Sequence, residues 1–337
     1  MSSGKTAVLL LNVGTPDSPS VKDVRRYLFE FLNDPRVIDI PWLLRKILVN
    51  LIIVPFRAPK SAKLYKLLWN KNGSPLLFHG NTVKEKLQEE LGDSYTTFLA
   101  MRYGNPNIRD VLSVIKAGEF SKLIVIPMFP HYAASSSGTA IEAVMNHLKN
   151  WEVIPEVKFT GQFYNNPLFL NAFCERIESY HPEKFDYVIF SYHGLPISHI
   201  TRIHPGNDCL SCTCDKQFPA HGNFCYKATC YETTRLLASK LGLPEGQFSQ
   251  SFQSRLSNNW LKPFTDKLLI KKGNDGVKRI LVVAPAFVAD CLETTVELGT
   301  DYKNQFKKAG GEDLEYVESL NDLPAWIETL KSLVENR

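Results

Sequence analysis

The chain lacks any run of about 20 apolar residues, the length a helix needs to cross a bilayer. Its most apolar stretch, Ile40 to Phe56, is interrupted by Arg45, Lys46 and Asn50, so it is expected to lie on a membrane rather than span one. Charge of one sign is also scarce: 39 Lys and Arg against 35 Asp and Glu leave a formal net charge of +4, with no basic stripe interleaved with aromatics. That balance argues against nucleic acid as a partner. No secretory leader opens the sequence, because Met1 to Lys5 runs directly into the strand-like Ala7-Val8-Leu9-Leu10-Leu11-Asn12. The expected location is therefore the cytoplasm, with a peripheral contact at the inner face of a membrane through residues 38–56.

What is present is the composition of a globular protein. The 337 residues, 44% hydrophobic and 22% charged, suffice for one large or two moderate domains. Apolar β-branched runs alternate with amphipathic stretches, the pattern of parallel sheets flanked by helices. Expected strands are Ala7–Asn12, Thr96–Met101, Lys122–Met128, Glu156–Thr160, Asp186–Tyr192, Gln247–Phe252, Lys278–Ala284 and Leu314–Val317. The third member of each set of four ends in proline or Ala-Pro before entering a helix, so the chain reads as two related α/β halves meeting at a cleft. The expected domains are residues 1–162, residues 163–320 and a closing helix in 321–337 that packs back on the first half. A single eight-stranded sheet is the alternative topology.

Open parallel sheets bind ligands outside the carboxyl ends of their strands. Two such ends carry chemistry here. One is Ser191-Tyr192-His193-Gly194-Leu195-Pro196, where a glycine permits close approach of a ligand. The other follows Ala284-Pro285 with Asp290, Glu293, Glu297 and Asp301. The last three recur every four residues, a spacing at which like charges repel by roughly 0.2–0.5 kcal/mol per pair on a helix. A row of carboxylates is usually a solvated face, but Asp290 close behind a buried strand argues for a site. A local widening toward π geometry would align the row, and such bulges favour functional sites. A neutral imidazole opposite carboxylates suits metal and proton handling. Aromatic residues, among them Tyr27, Phe29, Phe31, Phe129, Tyr132 and Phe287, are candidates for a broad flat pocket or for core.

Five of the seven cysteines fall in Cys209-x-x-Cys212-x-Cys214, Cys225 and Cys230. In a cytoplasmic chain such clustering points to metal ligation rather than disulfides, with zinc or an iron–sulfur cluster as candidates.

The chain closely resembles ferrochelatases, which insert ferrous iron into a porphyrin. The resemblance rests on Leu11-Asn12-Val13-Gly14-Thr15-Pro16, Phe31 to Ile38, Gly73-Ser74-Pro75-Leu76, Met101-Arg102-Tyr103, Pro127 to Tyr132 with Ser135 to Gly138, Ser191 to Pro196, and Phe252-Gln253-Ser254-Arg255 with Trp260-Leu261. It implies two Rossmann-like domains, each with a four-stranded parallel sheet flanked by helices, clamping the macrocycle. It implies catalytic and metal-handling roles for His193 and Glu293, an acidic path through Glu297 and Asp301, and porphyrin contacts at Val13, Arg102, Tyr103 and Tyr132. The segment from Ile38 to Phe56 becomes an apolar lip over the pocket. The expected reaction is Fe²⁺ insertion into protoporphyrin IX to give protohaem.

The pattern is not followed throughout. Cys291 stands where some relatives carry a second histidine, Ser257 replaces a common glycine, and Val13 occupies a position that tends to be tyrosine in relatives using coproporphyrin. That last residue favours protoporphyrin over coproporphyrin. The cysteine-rich stretch, about residues 207–230, looks like an insertion, and the resemblance implies a 2Fe-2S cluster on Cys209, Cys212 and Cys214 with Cys225 as fourth ligand. Cys230 is the alternative fourth ligand, and zinc the alternative metal. Two other functions remain open. A cobalt or nickel chelatase would want a more basic, less apolar pocket, and a non-catalytic haem- or iron-binding module makes little sense of carboxylates facing a histidine.

Overall fold

The computed structural model describes residues 4–204, 209 and 211–335. Its eight named strands form two four-stranded sheets rather than one long sheet. The first contains β1 (Thr6–Thr15), β2 (Tyr95–Gly104), β3 (Lys122–Pro127) and β4 (Glu156–Phe159) in the order β2-β1-β3-β4. The second contains β5 (Tyr187–His193), β6 (Phe248–Gln253), β7 (Arg279–Val283) and β8 (Asp313–Tyr316) in the order β6-β5-β7-β8. All neighbouring pairs are parallel. The fold is α/β with two parallel sheets flanked by helices. The single-sheet topology fails because the alternation of strand and helix runs through two separate sets of four, with no pairing among the described residues between strands of different sets.

Central strands are continuous apolar runs because both of their faces are covered. Ala7 to Leu11 of β1 have no exposed surface, and Leu9, Leu11 and Val125 pack with Ile108, Leu112 and Val144 from the flanking helices. In the second sheet Ile189, Ile280 and Val282 pack with Leu269, Leu298, Tyr302 and Phe306. The chain divides into two compact units: Met1–Phe129, Ala133–Gly161 and Ile327–Arg337 in one, Pro130–Tyr132 and Gln162–Trp326 in the other. Asn165-Asn166-Pro167 opens the helix Pro167–Glu178, with the Asn166 Oδ1 accepting from the main-chain N–H groups of Leu168 (2.9 Å) and Phe169 (3.2 Å). At the carboxyl end of the helix Pro324–Glu335, Lys331 pairs with Glu90 at 3.0 Å and Lys158 Nζ donates to the Leu333 carbonyl at 3.2 Å, both within the first unit.

In each sheet the chain turns to opposite sides after the first strand, so the switch points lie at β1/β3 and β5/β7. Beyond the third strand of each sheet stands a π-helix, Ala134–Gly138 after β3 and Leu292–Tyr302 after β7. The apolar stretch forms the helix Trp42–Ile47, a π-helical segment Leu48–Ile53 and the helix Val54–Leu68. Two of the three polar residues that interrupt it turn inward. Arg45 is buried and its Nη1 donates to the Ile40 carbonyl at 2.9 Å, while Asn50 Oδ1 accepts from Asn33 at 2.9 Å. Trp42, Leu51 and Phe56 are left 64%, 69% and 72% exposed, with Leu43, Leu44, Ile47 and Ile52 exposed beside them. Among the described residues no helix is long and apolar enough to cross a membrane.

Candidate functional site

His193 is the last residue of β5, in register with Gln253 at the end of β6. Its Nδ1 lies 2.6 Å from the Gly194 carbonyl. A carbonyl only accepts, so the proton of the neutral ring sits on Nδ1 and the lone pair on Nε2. The ring is partly buried, with the Trp260 and Phe287 rings each 6.4 Å away. Gly194 is needed here because a Cβ would stand 2.8 Å from the Gln253 carbonyl and 3.2 Å from Trp260.

Gln253 ties the histidine strand to the acidic helix. Its Oε1 accepts from Ser191 Oγ at 2.7 Å, and its Nε2 donates to the Glu293 main-chain carbonyl at 2.9 Å. The acidic row stands on the π-helix Leu292–Tyr302, and it runs outward: Glu293 and Glu297 are partly buried, Asp301 is exposed. Glu293 has the Cys291 thiol as its neighbour, a thiol pushed well up first by burial and then by the Glu293 charge. Glu297 is held by three donors: the Ser254 N–H (2.9 Å) and hydroxyl (2.5 Å), and the Tyr302 hydroxyl (2.6 Å). Burial, then the Glu297 charge, raises the Tyr302 hydroxyl far above its ordinary value, so it stays a donor. Ser254 reaches this position with φ +61°, an uncommon conformation for a side-chain-bearing residue.

Asp290 stands ahead of that row, just before the helix start. Its carboxylate is buried and consumed by Thr294 Oγ1 (3.1 Å), the Ser319 N–H (3.2 Å), Asn321 Nδ2 (2.7 Å) and a short bond from the Tyr316 hydroxyl. It anchors the start of the π-helix. A short polar residue near a helix start is chosen as often for such bonds as for chemistry.

In the first unit, Arg102 and Tyr103 leave β2 pointing at Asp34. Asp34 Oδ2 accepts from Arg102 Nη2 (2.6 Å), the Tyr103 hydroxyl (2.9 Å) and Thr139 Oγ1 (2.5 Å), and Oδ1 accepts from the Arg36 N–H (2.7 Å). Tyr103 is 1% exposed, so direct ligand contact, as expected of it, is not available in this structure; it stands behind the surface and braces Asp34. Arg102 keeps a quarter of its side chain exposed. Val13 is partly buried, followed by Gly14 at φ +114°, where a Cβ would collide with the Tyr103 carbonyl at 1.8 Å. Tyr132, grouped with the second unit, is partly buried and its ring meets Phe224 edge-on at 6.1 Å.

No disulfide joins the five clustered cysteines, and Cys209, Cys214, Cys225 and Cys230 are buried. They feel one another. The Cys214 thiol is pushed up to about 12, chiefly by burial, with Lys227 opposing and Cys212 and Cys225 adding to the rise. Cys225 is raised by burial and by Cys212, and Cys230 strongly by burial, with Cys225 and Cys214 contributing. Cys212 Sγ lies 3.7 Å from His221 Nε2. Among the described residues no three His, Cys, Asp or Glu side chains are arranged to hold a metal as they stand. The residues the sequence did not single out by role are Gln253, Ser254, Tyr302 and Asp34; three of them lie in motifs already quoted, where their side-chain chemistry carried no sign of which backbone group they would meet.

A family model described as ferrochelatase matches residues 5–337. A ferrochelatase of Legionella pneumophila (strain Lens) is 41% identical over 334 residues, covering 99% of each chain. One from Coxiella burnetii (strain Dugway 5J108-111) is 40% identical over 346 residues, covering 99% of this chain and 94% of that protein. Among solved structures, SirB from Bacillus subtilis with Fe3+ superposes with a TM-score of 0.54 at 9% identity, over 98% of this chain and 95% of that one. That likeness shows the fold alone.

Proposed function

The chain belongs to the ferrochelatase family, a lyase that inserts Fe²⁺ into protoporphyrin IX to form protohaem, and from that premise we propose which of its residues carry the chemistry. Insertion releases two pyrrole N–H protons as the metal enters. His193 accepts one at Nε2, the nitrogen left with a lone pair by the Nδ1 bond to Gly194. Glu293 accepts the other, and Glu297 and then Asp301 carry protons outward along a row whose first two members are partly buried and whose last is exposed. The same oxygens suit Fe²⁺ as a hard cation on its way in. Val13, Arg102 and Tyr132 are assigned to porphyrin contact, with Tyr103 bracing Asp34, the partner of Arg102, from behind. Apolar contact with the ring face supplies binding energy that bends the macrocycle and turns its nitrogen lone pairs toward the metal.

The single observation behind this reading is the fixed tautomer of His193 on a strand bonded, through Gln253, to the start of an acidic π-helix. Anaerobic insertion of Fe²⁺ into protoporphyrin by His193→Ala and Glu293→Gln tests it. Each variant should lose a factor of about 10² or more in kcat, the usual contribution of a positioned acid or base, with the porphyrin KM little changed. Rates equal to the parent's would refute the assignment.

Two finer roles belong to the same proposal. The cysteine segment holds a 2Fe-2S cluster on Cys209, Cys212, Cys214 and Cys225, with zinc as the alternative. Five thiols not joined in disulfides, four of them buried and those of Cys212, Cys214, Cys225 and Cys230 within electrostatic reach of one another, supply suitable donors, although side chains must turn to complete the sphere. Cys230 suits the fourth place less well, because its thiol lies against the Tyr226 hydroxyl. The cluster is structural or regulatory, since metal insertion transfers no electron. A visible absorption band in the purified protein, lost in Cys212→Ser, is the expected sign. The exposed apolar face from Trp42 to Phe56 is the second role, a surface that rests on a membrane. Flotation with vesicles should weaken in Ile47→Glu, and equal flotation would end that assignment.

A further inference from the structure

Gly194 has the widest backbone freedom of any residue type, yet the imidazole of His193 is aimed by a bond to the Gly194 carbonyl. Something outside the turn must hold that peptide. The His193–Gly194 peptide is a single planar unit, and it is pinned at both ends. Its N–H, on Gly194, donates to the Gln253 carbonyl at 2.8 Å. Its carbonyl, on His193, accepts from the Tyr226 hydroxyl at 2.9 Å.

We infer that Tyr226 is a positioning residue for His193: its hydroxyl fixes the 193–194 peptide, and the next carbonyl, on Gly194, then fixes the ring and leaves Nε2 bare toward the reacting centre. The inference rests on the assignment of His193 as proton acceptor.

Tyr226 is well placed for this. It is the first residue of the helix Tyr226–Lys240, is 5% exposed, and its ring stands edge-on to buried His131. The helix itself is tied down along its length. Thr233 Oγ1 donates to the Tyr164 carbonyl at 3.1 Å, and Lys227 Nζ and Arg235 Nη1 donate to the carbonyls of Cys209 and Cys214, each at 2.9 Å. The hydroxyl is thus delivered by a rigid element that also carries the cysteine segment. Without it a partly buried carbonyl loses its donor, and the peptide is held only through its N–H.

The test is Tyr226→Phe, which keeps the ring and removes one hydroxyl, assayed for Fe²⁺ insertion beside His193→Ala. Tyr192→Phe serves as control: it also deletes a buried hydroxyl, one bonded to Thr234 at 2.9 Å rather than to the 193–194 peptide. Tyr226→Phe should lower kcat about tenfold, the worth of one well-made hydrogen bond, with the porphyrin KM unchanged. The ¹⁵N signals of the His193 ring should move from the single Nδ1-protonated form to a mixture of tautomers. The control should do neither. A kcat within twofold of the parent with an unchanged ¹⁵N pattern would overturn the inference, as would an equal fall in the control. If Tyr226→Phe does not fold, 3-fluorotyrosine at position 226 strengthens the donor in a folded protein, and an unmoved His193 signal there would also overturn it. Full activity in His193→Ala would instead sink the premise on which the inference stands.

Discussion

The two units share one plan and divide the chemistry unequally. Both sheets have the order second, first, third, fourth strand, and both place a π-helix after the third. In the first unit that helix is the five residues Ala134–Gly138, serine-rich and uncharged, and the nearby charge neutralises itself as Arg102 on Asp34 at 2.6 Å. In the second it spans the eleven residues Leu292–Tyr302 and carries Glu293, Glu297 and Asp301 with no cation among them. The corresponding first-strand ends differ in the same way, Val13-Gly14 in one and His193-Gly194 in the other. A common scaffold supplies equivalent positions, and on the proposed roles the side chains set on them separate binding in the first unit from reaction in the second.

Substitutions sharpen that contrast. The largest effect on stability belongs to the first unit: Asp34→Ala leaves Arg102, Tyr103 and Thr139 without their shared acceptor. It should cost about 3–5 kcal/mol, as removal of one partner from a buried pair does, read by denaturant unfolding. A loss below about 1 kcal/mol would mean the pair is not structural. In the second unit Glu297→Gln should cost activity before stability. An amide can keep its oxygen toward the Ser254 N–H and the Tyr302 hydroxyl, which share Oε1, and turn its NH2 to the Ser254 hydroxyl, which can accept, but it cannot take up a proton. The expected fall in kcat is about tenfold, with porphyrin KM steady; an unchanged kcat would remove Glu297 from the proton path.

His131 offers a pH test of the same unit. It is fully buried among Tyr164, Tyr192 and Tyr226, and burial holds its pKa down to about 3. The unfolded chain takes up a proton there near pH 6.5, the folded protein only near 3. Stability is therefore complete above about pH 6.5 and falls as pH drops, by up to ~1.4 kcal/mol per unit from this one group. Melting curves from pH 7 to 4.5 should show that slope, reduced in His131→Gln; parallel slopes would assign the acid sensitivity elsewhere. The smallest effect is expected at Asp301, exposed at the outer end of the row. Asp301→Asn should change kcat by less than about threefold, since an exposed carboxylate has water as its substitute. A larger fall would make it part of the central machinery.

Much of this was legible in the sequence. Continuous apolar runs such as Ala7 to Leu11 and Ile280 to Val283 announced strands buried on both faces, and all eight strands lie where those runs predict. The four-residue spacing of Glu293, Glu297 and Asp301 pointed to one helical row and to π geometry. Hydrogen-bond partners were not legible, because they join residues far apart in sequence. Nothing in Asp290 itself distinguishes a carboxylate satisfied by Tyr316, Ser319 and Asn321 from one open to a metal. The burial of Tyr103 and the inward turn of Arg45 depend likewise on neighbours contributed by other elements.

The most direct test of the division between the units is anomalous scattering from crystals soaked with Co²⁺, a stand-in for the ferrous substrate. The account predicts a cation within bonding distance of His193 Nε2 and the Glu293 carboxylate, with none at the Arg102–Asp34 pair. A cation at Asp34, or none near His193 while insertion activity is intact, would contradict it.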